Sequence, residues 1–151
     1  MPEPTTIDEI LDFAIEREQE AADFYNELAG SMATPAMQGA FRQFAKEEMG
    51  HKAKLQGVKD GKKLAGAGKA VQDLKIGDYL VDVAPTPDMD YQKALIIAMK
   101  REKASYRLYM DLSARVPEGE VKQVLVELAN EEAKHKLRFE TEYDEHFLTE
   151  N

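Results

Sequence analysis

Two copies of a Glu-x-x-His motif contain the side chains best suited to chemistry in this sequence. The first copy places Glu48 three residues before His51, and the second places Glu132 three residues before His135. On an α-helix, residues three apart lie on one face, about one turn from each other. Each copy therefore presents a carboxylate and an imidazole together, and both are ligands for a hard or borderline divalent metal ion.

The two motifs belong to a repeat of a longer segment. The offset between them is 84 residues, and the same offset relates Glu18 to Glu102 and Tyr25 to Tyr109. The repeating unit is therefore a helix pair, with one Glu on its first helix and Glu-x-x-His on its second. If both pairs form one four-helix bundle, four Glu and two His side chains converge in its interior, which predicts a dinuclear metal site.

Helix starts can be predicted from residues that cap helices. Thr6 and Glu9 form a capping box, so helix 1 should begin near Ile7. Thr34 followed by Pro35 predicts the start of helix 2. Between the caps, apolar residues recur at alternating intervals of three and four, which is typical of helices packed in a bundle.

The ends of helices 3 and 4 can be predicted in the same way. Asp88 or Asp90 should cap helix 3, Pro117 should open helix 4, and fraying is expected beyond Tyr143. Residues 61–87 interrupt the pattern with Gly and Pro, and their number suits a crossover along the bundle. Helices 2 and 3 would then run parallel.

Six ionisable residues occupy positions of these apolar stripes where the helical period favours apolar side chains. A buried carboxylate without a partner costs several kcal/mol, and four together repel one another. A stable fold needs either cations or protonation of the carboxylates, and two divalent ions would neutralise the four charges. The oxygen and nitrogen ligands suit iron or manganese best, and zinc is possible. The candidate ligands are Glu18, Glu48, His51, Glu102, Glu132 and His135.

Other acids near these positions differ in how well the repeat supports them. Glu47 and Glu131 match each other in the repeat but lie one position off the apolar stripe, so they are rivals of the ligands, with a supporting or a surface role. Glu16 and Glu20 have no matching acid and are expected to face solvent.

Composition limits the function classes. The 151 residues include 43% hydrophobic and 32% charged residues and no Cys, and the net charge is −9. We expect one domain over 1–151, no nucleic-acid partner because basic clusters are missing, and no thiolate site. The N-terminus has no signal-peptide pattern, and no long apolar stretch predicts a membrane span, so a cytoplasmic protein is expected.

Four motifs follow one another along the chain: Glu18-x6-Tyr25, Glu48-x-x-His51, Glu102-x6-Tyr109 and Glu132-x-x-His135. Their order and spacing resemble the rubrerythrin family of ferritin-like di-iron carboxylate proteins over essentially the whole chain. The resemblance implies an all-α fold: a ferritin-like four-helix bundle of two helix-pair repeats, with a long crossover between helices 2 and 3.

The resemblance also implies ligand roles. The glutamates of the two Glu-x-x-His motifs, Glu48 and Glu132, would bridge two iron ions, and the histidine of each motif would bind one iron. Glu18 and Glu102 would be terminal ligands.

Tyr25 and Tyr109 lie two turns beyond the first-helix glutamates on the same face. They are either large core residues or phenols that hold ligand carboxylates, and the second role is favoured because a buried hydroxyl needs a partner. The resemblance implies that each bonds a ligand glutamate of the opposite half.

The function implied by the resemblance is reduction of peroxide or dioxygen at the di-iron site, in defence against oxidative stress, by a homodimer. The chain departs from the family pattern in two respects: it lacks the cysteine-ligated electron-transfer domain, and Ser105 replaces a further glutamate. Electrons would therefore come from a separate donor protein. Alternatives are iron oxidation for storage or delivery, and dimanganese disproportionation of peroxide.

Overall fold

The computed structural model describes residues 6–32, 34–60 and 90–148. These residues form four α-helices and a short π-helical turn, without any strand. The helices are α1 (Ile7–Ser31), α2 (Pro35–Asp60), α3 (Tyr91–Ser113) and α4 (Glu120–Tyr143), and the turn is Asp144–Leu148. The expected crossover of residues 61–87 lies outside the described residues.

The predicted starts of the first three helices are confirmed. At α1 the Thr6 hydroxyl accepts a hydrogen bond from the Glu9 backbone N–H, and the Glu9 carboxylate accepts one from the Thr6 N–H, each at 3.1 Å. Pro35 is the first residue of α2. Asp90 caps α3 by accepting a hydrogen bond from the Lys93 N–H at 2.7 Å.

The predicted start of the fourth helix is wrong, because α4 begins at Glu120 instead of Pro117. The chain reverses through Gly119, whose φ of 146° is strained for any residue with a side chain, so a helix cannot run continuously from Pro117. The expected fraying after Tyr143 is also wrong for the next residues, which form a π-helical turn. The Phe147 ring of that turn packs against the Tyr143 ring, with centroids 5.2 Å apart.

Two apolar clusters lie at opposite ends of the bundle. The first combines the starts of α1 and α4 with the ends of α2 and α3 and includes Ile7, Leu55, Leu112 and Leu125. The second combines the opposite helix ends and includes Leu28, Phe41, Leu95 and Phe139. Since α2 and α3 both run from the second cluster to the first, they are parallel, as predicted. None of the described helices has the length and apolar content to cross a bilayer.

Candidate metal centre

The six predicted ligands meet between the two apolar clusters, at mid-height of the bundle. None of them is more than 5% exposed. Every helix contributes: α1 and α3 provide one glutamate each, and α2 and α4 provide one Glu-x-x-His motif each. The helical period therefore brings these six polar side chains into the interior at one level, as the repeat predicts.

The six side chains form two overlapping groups of four, and in each group the potential ligand atoms lie within 4.8 Å of one another. One group consists of Glu18, Glu48, His51 and Glu132. The other consists of Glu48, Glu102, Glu132 and His135. The two motif glutamates thus belong to both groups, which is the arrangement that two carboxylates bridging two metal ions require.

Both histidines direct Nδ1 towards the carboxylates. His51 Nδ1 lies 3.0 Å from Glu132 Oε1, and His135 Nδ1 lies 3.0 Å from Glu48 Oε1. Each imidazole therefore lies against the motif glutamate of the other helix pair. The two rings are nearly parallel, with an angle of 17° between their planes and centroids 5.7 Å apart.

The tyrosines connect the two halves at the site. The Tyr25 hydroxyl donates a hydrogen bond of 2.5 Å to Glu102 Oε1, and the Tyr109 hydroxyl donates one to Glu18 Oε1. Both hydrogen bonds cross to the opposite helix pair, as the resemblance implies. Burial, reinforced by the nearby carboxylates, raises the pKa of both phenols well above the ordinary value, so they remain neutral hydrogen-bond donors.

Without a cation, the site favours protonation. Burial, followed by the charges of neighbouring carboxylates such as Glu102, raises the pKa of Glu48 and of Glu132 well above the ordinary value. Burial by itself lowers the pKa of His51, but contacts with Glu132 and Glu18 outweigh it and raise this pKa to about 10. The cluster therefore retains protons when no other positive charge compensates the carboxylates.

Several buried atoms of the six side chains have no hydrogen-bond partner among the described residues and face the centre of the cluster. In the described part of the chain, seven buried atoms of the six side chains face this space without a hydrogen-bond partner: Glu18 Oε2, Glu48 Oε1, Glu102 Oε2, both carboxylate oxygens of Glu132, and Nδ1 of His51 and of His135. So many buried polar atoms without a hydrogen bond in one volume are costly unless protons or metal ions compensate them. The donor set fits two divalent ions of the hard or borderline class.

The structure also distinguishes the surroundings of Glu47 and Glu131, which the sequence could not. Glu47 Oε2 lies 3.6 Å from His135 Nε2, whereas Glu131 is partly exposed and lies 3.9 Å from Lys134. Glu16 and Glu20 are exposed, as expected. The repeat could not predict that Glu47 lies near His135. It treats Glu47 and Glu131 as equivalent, whereas the two residues make different contacts in the structure.

The chain is similar to known proteins in its sequence pattern and in its fold. The family model described as Rubrerythrin matches residues 9–143. A protein of Thermotoga maritima, described as ferritin-like and diiron-carboxylate, superimposes with a TM-score of 0.81 at 20% identity, covering 96% of this chain and 99% of its own. A hypothetical protein of Pyrococcus furiosus superimposes with a TM-score of 0.73 at 26% identity, covering 92% and 89%. No curated protein sequence matches significantly.

Proposed function

Because the chain belongs to the rubrerythrin family, we propose that it is an oxidoreductase that reduces peroxide or dioxygen with two iron ions bound in the Glu/His cluster. The observation that carries the proposal is the pair of overlapping groups that share Glu48 and Glu132. A cluster that bound one structural ion would need only one such group.

Two ferrous ions held by these six side chains would supply two electrons and two Lewis-acid centres for cleavage of an O–O bond. The shared carboxylates of Glu48 and Glu132 would set the spacing of the two ions. His51 and His135 would each bind one ion, because each histidine belongs to one group only and directs its Nδ1 towards the carboxylates.

In each of the two glutamates proposed as terminal ligands, one carboxylate oxygen is hydrogen-bonded to a tyrosine and the other is available to a metal ion. In Glu102 and Glu18, Oε1 accepts the hydrogen bond of a phenol, while Oε2 has no hydrogen-bond partner among the described residues. The phenol thus orients the carboxylate and leaves the other oxygen for the metal. Such supporting hydrogen bonds typically change metal affinity or activity 10- to 100-fold, that is, by roughly one to two orders of magnitude.

Aromatic side chains shield the His135 side of the cluster from water. The Phe44 ring meets the His135 ring edge-on with centroids 5.1 Å apart, and the Phe139 ring lies 4.4 Å from the Phe44 ring. Exclusion of water strengthens the interaction of fixed charges with a bound substrate and limits side reactions.

A separate electron-donor protein would restore the reduced state after each turnover. These 151 residues contain no Cys, so they offer no thiolate site for a second redox centre. Peroxide or dioxygen would be the oxidant, and a homodimer acting against oxidative stress would be the working unit.

The test is anaerobic loading with ferrous iron, followed by separate mixing with peroxide and with dioxygen while the ferric absorbance is followed. We expect two electrons per chain to reach the oxidant, and repeated turnover when a reductant is supplied. Accumulation of a large ferric core in a hollow multimer would contradict the proposal in favour of iron storage. Full activity only with manganese loading would favour peroxide disproportionation.

A further inference from the structure

Each ring nitrogen of His135 lies near a carboxylate. Its Nδ1 faces the shared glutamates, and its other ring nitrogen, Nε2, faces outward to Glu47 Oε2 at 3.6 Å. Both Nε2 and this oxygen are buried and have no hydrogen-bond partner in the described part of the chain. A movement of about 0.5 Å brings the two atoms within hydrogen-bonding distance.

Arg138 places a positive charge near Glu47. Its guanidinium lies over the Phe44 ring, 4.4 Å from the centroid, and its Nη1 lies 3.9 Å from Glu47 Oε2. Phe44 itself contacts the His135 ring edge-on. The stacking places a positive charge beside Glu47, and this charge favours the carboxylate in its place next to the imidazole.

The internal repeat lacks this arrangement around His51. At the repeat offset, Phe44 corresponds to Leu128 and Arg138 to Lys54, so these two matched positions provide neither an aromatic ring nor a planar guanidinium. Glu131, which corresponds to Glu47, is directed to Lys134 instead, with 40% of its side chain exposed. In the described residues, the ion-pair contacts of His51 all involve Nδ1.

We propose that Glu47 is a positioning residue that accepts the Nε2–H of His135 and makes the two metal positions inequivalent, so that the position at His135 binds its ion first. This proposal rests on the dinuclear site proposed above. A carboxylate behind a histidine selects the tautomer with the proton on Nε2, leaves the Nδ1 lone pair for the metal and increases its basicity. Within residues 6–32, 34–60 and 90–148, no carboxylate pairs with the outer nitrogen of His51, so the position at His51 would bind its ion more weakly.

The first experiment compares two variants at matched positions of the repeat. Apo protein is titrated with cobalt(II), and the absorbance and heat of each binding step are recorded for wild type, Glu47→Ala and Glu131→Ala. We expect two steps in wild type, a rise of about 10- to 100-fold in the dissociation constant of the tighter step in Glu47→Ala, and no change in Glu131→Ala. Glu47→Gln retains an acceptor oxygen and should give an intermediate value.

A second measurement assigns the steps. His51→Ala should keep the tighter step and lose the weaker one, while His135→Ala should lose the tighter one. In the zinc-loaded protein, the His135 Nε2–H should exchange slowly with solvent in wild type and rapidly in Glu47→Ala, as followed by nitrogen-edited NMR. This readout does not depend on activity.

Two failures can be distinguished. If wild type binds two ions but Glu47→Ala and Glu131→Ala have the same effect, or if His51→Ala loses the tighter step, the role of Glu47 is contradicted and the proposed function stands. If wild type binds no cobalt in the cluster, both proposals are contradicted.

Discussion

The Tyr25 hydroxyl lies 2.5 Å from Glu102 Oε1, so a phenol of the first helix pair donates a hydrogen bond to a carboxylate of the second pair. Tyr109 makes the reciprocal bond to Glu18. Each helix pair therefore orients a candidate ligand of the other, and neither half can complete a metal position without its partner. This exchange joins the two halves at the level of the site.

Removal of one of these phenols should destabilise the protein without removing the site. In Tyr25→Phe, Glu102 Oε1 loses its donor in a fully buried setting, which costs about 1–3 kcal/mol. We expect a loss of this size in the free energy of unfolding of the metal-loaded protein, measured by urea denaturation, with two metals per chain retained. Tyr109→Phe should show a similar loss. Unchanged stability in both variants would show that these hydrogen bonds do not support the ligands.

Removal of a shared carboxylate should affect both metal positions. Glu48 belongs to both groups of four, so Glu48→Ala should no longer bind two metal ions per chain. Elemental analysis of the purified, iron-loaded protein measures this. The control is Glu16→Ala, which removes an exposed acid of α1 and should retain both ions. Two ions per chain in Glu48→Ala would contradict the ligand set.

Metal binding should stabilise the fold, because ions bind the folded cluster and not the unfolded chain. Treatment with a chelator should therefore lower the Tm of wild type, and addition of ferrous iron without oxygen should restore it. In Glu48→Ala the chelator should have little effect. An unchanged Tm of wild type after complete metal removal would mean that the ions do not compensate the buried carboxylates.

The apo protein should lose stability as pH rises. The folded-state pKa values of Glu48, Glu132 and His51 are raised, so in the folded state these groups keep protons that they release at lower pH in the unfolded chain. Their stabilisation is complete below the unfolded values, 4.5 for Glu and 6.5 for His, and is lost as pH rises through the folded values. For His51 this window extends from pH 6.5 to about 10.

Urea unfolding of the apo protein at several pH values within the His51 window measures this effect. The metal-loaded protein should show a weaker dependence, because bound ions replace the protons. His51→Gln should reduce the slope for the apo protein. Apo stability that increases with pH across the window would contradict the charge balance inferred for the site.

The sequence was sufficient to locate the six buried polar side chains, because each lies on an apolar stripe and each has a counterpart at one offset. The direction of Glu47 could not be predicted in the same way. Glu47 and Glu131 are equivalent in the repeat, but Arg138 of α4 reaches Glu47 across helices while it stacks on the Phe44 ring. Contacts of this kind depend on helix packing and not on the period of one helix.

Helix ends show the same limit. Side-chain caps predicted the starts at Ile7, Pro35 and Tyr91, because a capping residue acts on its own helix. The start at Glu120 depends on the path of the backbone through Gly119. Pro117 favoured an earlier start, so the sequence did not predict this path. Proline suits the first position of a helix, but here the chain turns once more before the helix forms.

Anomalous diffraction at the iron edge, from crystals of protein loaded with ferrous iron, tests the central claim most directly. We predict two peaks per chain among the six side chains, one next to Nδ1 of each histidine, with Glu48 and Glu132 in contact with both. A single peak, no peak, or peaks away from these six side chains would contradict the dinuclear site.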